Sequence, residues 1–532
     1  MTKLDFDALE KAIRSLPLRF KGPGGVAGVM KDGEVLSRQA WGYADLDRHV
    51  PMTVDTLMPI CSISKQFTCA LLLDLAGDPS ILDDRLAPLL PNLQGARPTV
   101  AQLCHNQSGL RDYWALTVLH GALADGIFAR EDARRLFARM RDTHFAPGHH
   151  YSYSNGNFRL LSDLIEEHAG RPLGALLEER IFGPAGMETA RLATDTGAPL
   201  NGVVGYEGNA DVGFFPAANR IYWSGDAGIA ASLDDMLAWE RFIDATRDDE
   251  SGLYNRISAP QAFADGSVAR YGYGIQRETI GNTTVTGHGG ALRGFRCRRL
   301  HAAFERLSVV VMFNHDADAH AAAQMLMKAA LGVPEEKPAG ARPGSGWEGR
   351  YIEPSTGLVL TVTAQEDHLT ASFAGSPERL ALGQDGIARS VATILERDGD
   401  AMRIERPGEN LKSVAIRISG APRGDIAGRF VSSELDASLE ITEVGGAFYG
   451  AFEGFLGRGA MHPIYPAGED VWLLSCRRSM DAPAPGDWTI QIRRDADDRV
   501  CGLVIGCWLA RKVEYDLVRA SCPDERAARE PA

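Results

Sequence analysis

At 532 residues, 45% hydrophobic and 24% charged, the chain has the composition of ordinary globular material and more length than one hydrophobic core spans, so two to four domains are expected. A net charge of −14 with no basic run against it repels phosphate backbones and excludes nucleic acid as an expected partner. Eight cysteines without a CxxC pair or regular spacing read as small buried hydrophobes in a reducing compartment, excluding a disulfide framework or a zinc site.

The opening segment, MTKLDFDALEKAIRSL, lacks the basic head and uninterrupted apolar stretch of a signal peptide, and its Leu4 to Leu16 portion has helical periodicity. No segment reaches the roughly 18–20 apolar residues of a membrane span. A cytoplasmic protein with no membrane association is expected. Gly22-Pro23-Gly24-Gly25 is read as a loop, because no GK[ST] follows and a strand stands where a phosphate cradle needs a helix. Next, VAGVMKDGEVLSRQAWGYAD places two β-rich runs around Asp32-Gly33, a turn signal between apolar flanks, and predicts a hairpin.

Helical patterns dominate from about Ser64 to Gly186, including EDARRLFARMRDTHF and NFRLLSDLIEEHAG, and strand-like runs return at TTVTGHGG and RLSVVVMFN. Strands, then helices, then strands predict one α/β unit over residues 1–330 whose two ends of sequence pair in a sheet. Prolines, glycines and charges crowd into LGVPEEKPAGARPGSG, which predicts a linker over 331–346. Beyond it, short alternating runs separated by turn residues are an all-β signature. They contain an internal echo: the runs from Gly349 and Gly428 align without gaps, sharing Gly-Arg-aromatic, Leu360/Leu439, Thr363/Thr442, Phe373/Phe452 and Gly375/Gly454. Two copies of one small β unit are expected, over 347–422 and 423–520, with a tail at 521–532.

The chemistry concentrates at PICSISKQ, where Ser62 and Lys65 head an almost wholly apolar run, FTCALLLDLAG. Three residues apart on a helix, the two side chains share a face. Free N–H groups and the positive dipole end at a helix start suit negative charge developing on an attacked carbonyl. A lysine buried in such a run loses solvation, and its amine moves from an ordinary value of about 10.4 toward neutrality, where it can act as a base. The bland alternative is a capping serine and a lysine that snorkels outward. Two further motifs change the balance: Tyr153-Ser154-Asn155 in YSYSNGN, on a turn into a helix, and His288-Gly289-Gly290 in TGHGGALRGF, after a strand-like NTTV. Small residues there would let a substrate lie along the strand edge.

Ser-x-x-Lys, Tyr-x-Asn and His-x-Gly in this order, with flanking text over most of residues 20–330, resemble the penicillin-recognising serine hydrolases: serine β-lactamases, DD-peptidases and related esterases. The paired C-terminal β units fall outside that common core and resemble the branch of aminopeptidases acting on D-residues. The resemblance implies a β-lactamase-like catalytic domain followed by two antiparallel β-barrels. It makes Ser62 a nucleophile forming an acyl-enzyme, Lys65 its proton acceptor, and Tyr153 the group that shuttles protons to the leaving amine and from the deacylating water. A Tyr153 phenolate as principal base, supported by a charged Lys65, stays open. Asn155 would orient Lys65 and the substrate amide, with the oxyanion hole formed by the N–H groups of Ser62 and of Ala291 beyond Gly290.

Many relatives that hold a substrate carboxylate carry lysine where this chain has His288, and losing a permanent cation weakens the case for penicillin or a C-terminal carboxylate as ligand. His288 is expected to position the Tyr153 end of the network; a histidine bonded between strand and loop is the plain alternative. An aminopeptidase must hold a free ammonium, which requires a carboxylate near the site and a wall against longer chains. The resemblance points to Asp481, in the proline-stiffened SCRRSMDAPAPGDW of the last β unit; the alternative is an ordinary turn aspartate on a solvated tip. The expected activity is release of an N-terminal D-residue, D-alanine above all, from small peptides, amides or esters with a free D-amino terminus. The alternative is a carboxylesterase, β-lactamase or DD-carboxypeptidase on the same machinery. No cofactor is called for, and His315, His320, Asp316 and Asp318 lack the spacing of a metal site. A monomer and a homodimer are both open.

Overall fold

The computed structural model describes residues 5–198, 200, 202–334, 342–344, 346–476, 480–481 and 486–518. Residues 335–341 and 345 of the expected linker, 477–479 and 482–485 of the loop carrying Asp481, and the expected tail 521–532 lie outside the described residues.

Helix α1 (Phe6–Arg19) is capped by Asp5, whose carboxylate accepts from the N–H of Ala8, and buries Leu9, Ile13 and Leu16 on one face. Strands β1 (Gly24–Lys31) and β2 (Glu34–Asp45) form the predicted hairpin. Its two turn residues, Asp32 and Gly33, both take positive φ (54° and 80°), the geometry whose twist matches the flanking strands. Further along come β3 (Val50–Pro51), helices α2 (Ser64–Ala76) and α3 (Asn155–Ala169), then β4 (Tyr271–Gly272), β5 (Ile275–Ile280), β6 (Thr283–Leu292), β7 (Phe295–Ala302), β8 (Leu307–Phe313) and helix α4 (Ala319–Leu331). The sheet runs β4-β5-β6-β7-β8-β1-β2-β3, so β1 and β8 lie side by side, Gly28 opposite Val310, and the two ends of this unit's sequence pair.

Both faces of the adjacent strands β1 and β8 are covered, which is why these two strands are almost wholly apolar. Val26 and Met30 of β1 and Val310 and Met312 of β8 face the helical layer that contains α2 and α3. The alternate residues Ala27, Val29, Val309 and Val311 pack with α1 and α4 on the other side.

Eight antiparallel strands between Gly349 and Arg417 close a first barrel, and a second closes between Gly428 and Leu517. The repeat survives as register. In the first barrel, β9 (Gly349–Glu353), β10 (Leu358–Ala364) and β11 (Leu369–Phe373) pair Tyr351 with Leu360 and Leu360 with Phe373. In the second, β12 (Gly428–Ser432), β13 (Ala437–Val444) and β14 (Ala447–Gly454) pair Phe430 with Leu439 and Leu439 with Phe452. The cores differ, however. Leu360, Phe373 and Met402 belong to a core whose buried residues all come from the first barrel, with Trp508 of the second packed against it, whereas Leu439, Phe452 and Trp488 are continuous with Trp114 and Leu116 of the N-terminal unit. Among the described residues, no helix is long and apolar enough to cross a membrane.

Candidate active site

A 3₁₀ turn, Cys61–Ile63, precedes α2 and presents Ser62 at its centre, with Cys61 held at a φ of 50°. For a residue with a side chain this left-handed backbone is uncommon, and it recurs where a local geometry is enforced by its surroundings. Lys65 follows in the first turn of α2, whose residues Ser64 to Leu73 are all buried. The Nζ of Lys65 donates to Ser62 Oγ at 3.0 Å, to Asn155 Oδ1 at 2.8 Å and to the carbonyl of Asp226 at 2.7 Å, using all three donors of an ammonium. Tyr153 Oη donates to the same Ser62 Oγ at 2.7 Å. The structure therefore brings Ser62, Lys65, Tyr153 and Asn155 into one hydrogen-bonded group, with the directly bonded Ser62 and Tyr153 91 positions apart in the chain.

Burial governs the ionisation of the group. Lys65 is fully buried, and desolvation pulls its amine down to about 8 even though the carboxylates of Asp226, Asp112 and Asp481 act in the opposite direction. The same desolvation drives the Tyr153 phenol well above its ordinary value. Of the two groups touching the serine, the amine is the one whose neutral and charged forms exchange near neutral pH.

Gly290, on β6, lies against the nucleophile turn: a Cβ there would stand 2.5 Å from the carbonyl of Ile60 and 2.9 Å from Cys61 Cβ. The strand reaches the serine only because that side chain is absent. Gly290 and Ala291 line the same cavity as Ser62. His288, two residues earlier, is 2% exposed, and burial together with the charge of Lys65 lowers its imidazole to about 3. Its Nδ1 meets the carbonyl of Gly289 at 2.5 Å and its Nε2 lies 3.1 Å from Tyr271 Oη. Because a carbonyl only accepts, Nδ1 carries the proton and Nε2 accepts from Tyr271. Both nitrogens are thus occupied, and the approach to Tyr153 is ring packing, with centroids 6.2 Å apart.

The cavity over these groups measures about 600 Å³. Asp481 reaches it from the second barrel, 8% exposed, with its carbonyl accepting from the N–H of Arg293. Trp488, Trp508 and Leu509 of the same barrel join Trp114 in lining it.

Sequence reasoning passed over Asp112, within LRDYW. This fully buried carboxylate accepts from both the backbone N–H and the Nδ2 of Asn155, each at 3.0 Å, and lines the cavity beside Asp481. Burial, reinforced by the charge of Asp481, raises it to about 7. Tyr271, which fills the open valence of His288, was passed over too. Neither sits at a motif spacing; for Asp112 the available signal was an acidic residue heading an apolar stretch, Asp112 being followed by Tyr113-Trp114-Ala115-Leu116.

Two family models match the chain: Beta-lactamase over residues 9–333 and D-aminopeptidase, domain B over residues 341–516. A D-aminopeptidase from Cereibacter sphaeroides is 56% identical, with 96% of this chain and 99% of the relative covered. One from Brucella melitensis biotype 2 is 54% identical, with 97% and 99% covered. Among solved structures, an octameric penicillin-binding protein homologue from Pyrococcus abyssi shares the fold at a TM-score of 0.53 and 18% identity, covering 86% of this chain and 99% of its own. With both halves matched in order and full-length relatives above half identity, the chain belongs to the D-aminopeptidase family, whose serine hydrolase catalytic domain is β-lactamase-like.

Proposed function

We propose that the chain releases an N-terminal D-residue, D-alanine above all, from small peptides, amides or esters through an acyl-enzyme on Ser62. The observation that carries this reading is the pair of contacts on one oxygen: Ser62 Oγ within 3.0 Å of a desolvated lysine amine and 2.7 Å of a buried phenol. Once Lys65 is neutral, Asn155 Oδ1 and the Asp226 carbonyl take its two remaining hydrogens, which turns its lone pair toward Ser62. The hydroxyl proton then passes to Lys65 as Oγ bonds the substrate carbonyl carbon. Tyr153, kept as a phenol by burial, relays a proton to the leaving amine. Water later attacks the ester carbonyl, giving one proton through Tyr153 and Lys65 back to Ser62 Oγ, so that the acid is released as product and the free serine is regenerated. The backbone N–H groups of Ser62 and Ala291 take the developing oxyanion.

Substrate choice follows from charge. Asp481, nearly buried at the cavity wall, supplies the carboxylate for a substrate ammonium. His288 is neutral at working pH and offers no cation to a substrate carboxylate, which disfavours penicillins and C-terminal carboxylates. The names of the full-length relatives support the same preference for D-residues. A cytoplasmic location is proposed from the cysteines: among the described residues none forms a disulfide and most are buried.

The test is a paired comparison of D- and L-alaninamide turnover, with Ser62→Ala as control. D-alaninamide is hydrolysed with preference, a fluorophosphonate forms an adduct on Ser62, and Ser62→Ala loses both. For the wild type on an acyl ester without an amine, kcat/KM rises with pH to a plateau, because only neutral Lys65 accepts the proton; on D-alaninamide it falls again as the substrate ammonium, ordinarily titrating at about 8, is lost. The midpoint of the rise on the ester lies near pH 8, where Lys65 titrates. A labelled protein with equal rates on the two enantiomers would leave the hydrolase and remove the stereochemical assignment.

A further inference from the structure

We infer that the second barrel positions the lysine base, holding it in register through Arg111, Asp112 and Asn155. This assigns Asp112 and Arg111 as positioning residues, and it rests on the reading of Ser62 and Lys65 as the reacting pair.

The chain of contacts begins on the last hairpin of that barrel, Val500–Cys507 with Ala510–Leu517. The carbonyl of Leu509, at its tip, accepts from the backbone N–H of Asp112 at 2.9 Å. Arg111, 3% exposed, gives its Nε to the carbonyl of Arg511 at 2.9 Å, a terminal nitrogen to the carbonyl of Lys512 at 3.3 Å and the other to Glu434 at 2.6 Å. All three acceptors belong to the second barrel. Four bonds from one barrel thus fix two consecutive residues of the catalytic unit, leaving little freedom to the side chain of Asp112.

That side chain decides how Asn155 faces the lysine. Ionised, as it is above about pH 7, Asp112 has only acceptors, so Asn155 must turn its Nδ2 toward it, and the amide carbonyl oxygen is then the atom that meets Lys65 Nζ. The second bond, from the backbone N–H of Asn155 to the other carboxylate oxygen, fixes the plane of the pair. With the amide reversed, Asn155 would present two hydrogens to the amine. Lys65 would lose one of the two fixed acceptors that aim its lone pair at Ser62. The effect falls on proton transfer from Ser62, a step every acylating substrate shares, and not on recognition of one end of the substrate.

The experiment is a double-mutant cycle on the full-length chain with Asp112→Asn, Asn155→Ala and their combination. It reads kcat and KM on D-alanine p-nitroanilide and on an acyl ester without an amine, together with the rate of fluorophosphonate labelling at Ser62. Asp112→Asn slows labelling and kcat on both substrates by about 10- to 100-fold, the range for losing a buried charged hydrogen bond, and leaves KM within about twofold. The double variant is no slower than Asn155→Ala alone, because Asp112 acts only through that amide. Arg111→Lys, which keeps the charge and cannot make the forked contacts, lowers kcat in the same sense by a smaller factor and adds nothing on top of Asp112→Asn.

Additive losses overturn the inference. So does an Asp112→Asn protein whose KM rises on the amine substrate alone while labelling is unchanged, since Asp112 would then be holding the substrate ammonium. If Asp112→Asn does not accumulate as folded protein, Asp112→Glu, which keeps the charge and displaces its oxygens, goes through the same cycle with the same criteria. Failure of the wild type to label at Ser62 would instead remove the functional reading on which the cycle depends.

Discussion

The two barrels start from one pattern and end with different duties. Their first hairpins share a register residue for residue, Leu360 opposite Phe373 and Leu439 opposite Phe452, so the same alternation of buried and exposed positions built both. They differ in what they touch. The first keeps a core of its own, while the core of the second continues into the catalytic unit. The connections differ as well: residues 390–393 join Ile387–Arg389 to Ile394–Asp398 in the first barrel, whereas the corresponding link in the second, residues 475–487, is about three times as long and carries Asp481 to the cavity. The final hairpins of the two barrels meet each other beside the second motif. Trp508 Nε1 donates to Glu409 Oε1 at 3.1 Å, and the carbonyl of Glu409 accepts from the N–H of Tyr151, two residues from Tyr153. A duplicated barrel thus keeps its hydrogen-bonded frame while its loops and outer surface diverge, because the frame depends on local alternation and the loops do not.

The sharpest way to break this comparison is to empty equivalent positions. Leu360→Ala and Leu439→Ala each remove a fully buried side chain at the same register position, and each costs about 2–5 kcal/mol in chemical unfolding. Only Leu439→Ala carries the catalytic unit with it, so fluorophosphonate labelling at Ser62 is lost at the same denaturant concentration as barrel structure. In Leu360→Ala, labelling outlasts the first barrel. Loss of labelling in both proteins together would mean that the two cores act as one.

A smaller effect is expected at the long loop. Asp481→Asn raises KM for D-alanine p-nitroanilide by about 10- to 100-fold, the consequence of removing a carboxylate partner from a bound ammonium, and spares an acyl ester that carries no amine. Equal losses on the two substrates would show that the loop supports the site without reading the substrate. Because Asp112→Asn is expected to do the reverse, lowering kcat on both, the two aspartates are separable by this assay even though they line one cavity.

Least is expected from Trp508→Phe, which removes the N–H bonded to Glu409 and replaces the indole with a smaller aromatic ring. Stability falls by about 0.5–1.5 kcal/mol with kcat unchanged. A severalfold change in KM would show that the cavity wall formed by Trp508 also contacts the substrate.

Legibility in the sequence tracked the range of the interactions. Asp32-Gly33 announced its hairpin because both positive φ values are chosen by two adjacent residues. The burial of Lys65 followed from the unbroken apolar run behind it, and the repeat was visible because hairpin register is a matter of spacing. Two short motifs located Ser62, Lys65, Tyr153 and Asn155, and the structure gathers them within hydrogen-bonding distance. The partner of His288 was not legible: the histidine expected to position the Tyr153 end of the network packs its ring near Tyr153, and its Nε2 is taken by Tyr271, on the edge strand of the sheet. Asp112 was equally silent, since an acidic residue before an apolar stretch reads as a helix start until the amide it serves is brought next to it.

By itself, the sequence determined the local frames: the turn that presents Ser62, the buried helix that strips water from Lys65, the glycine that lets a strand lie against the nucleophile, and the alternation that builds two like barrels. Only the tertiary structure decided which barrel shares its core with the catalytic unit and which carboxylate steers Asn155. Those outcomes depend on contacts such as Arg111 with the carbonyl of Arg511, 400 positions apart, where neither residue's neighbours in the chain carry any trace of the other. A side chain's periodicity records which way it faces, and the partner it finds there is settled by packing.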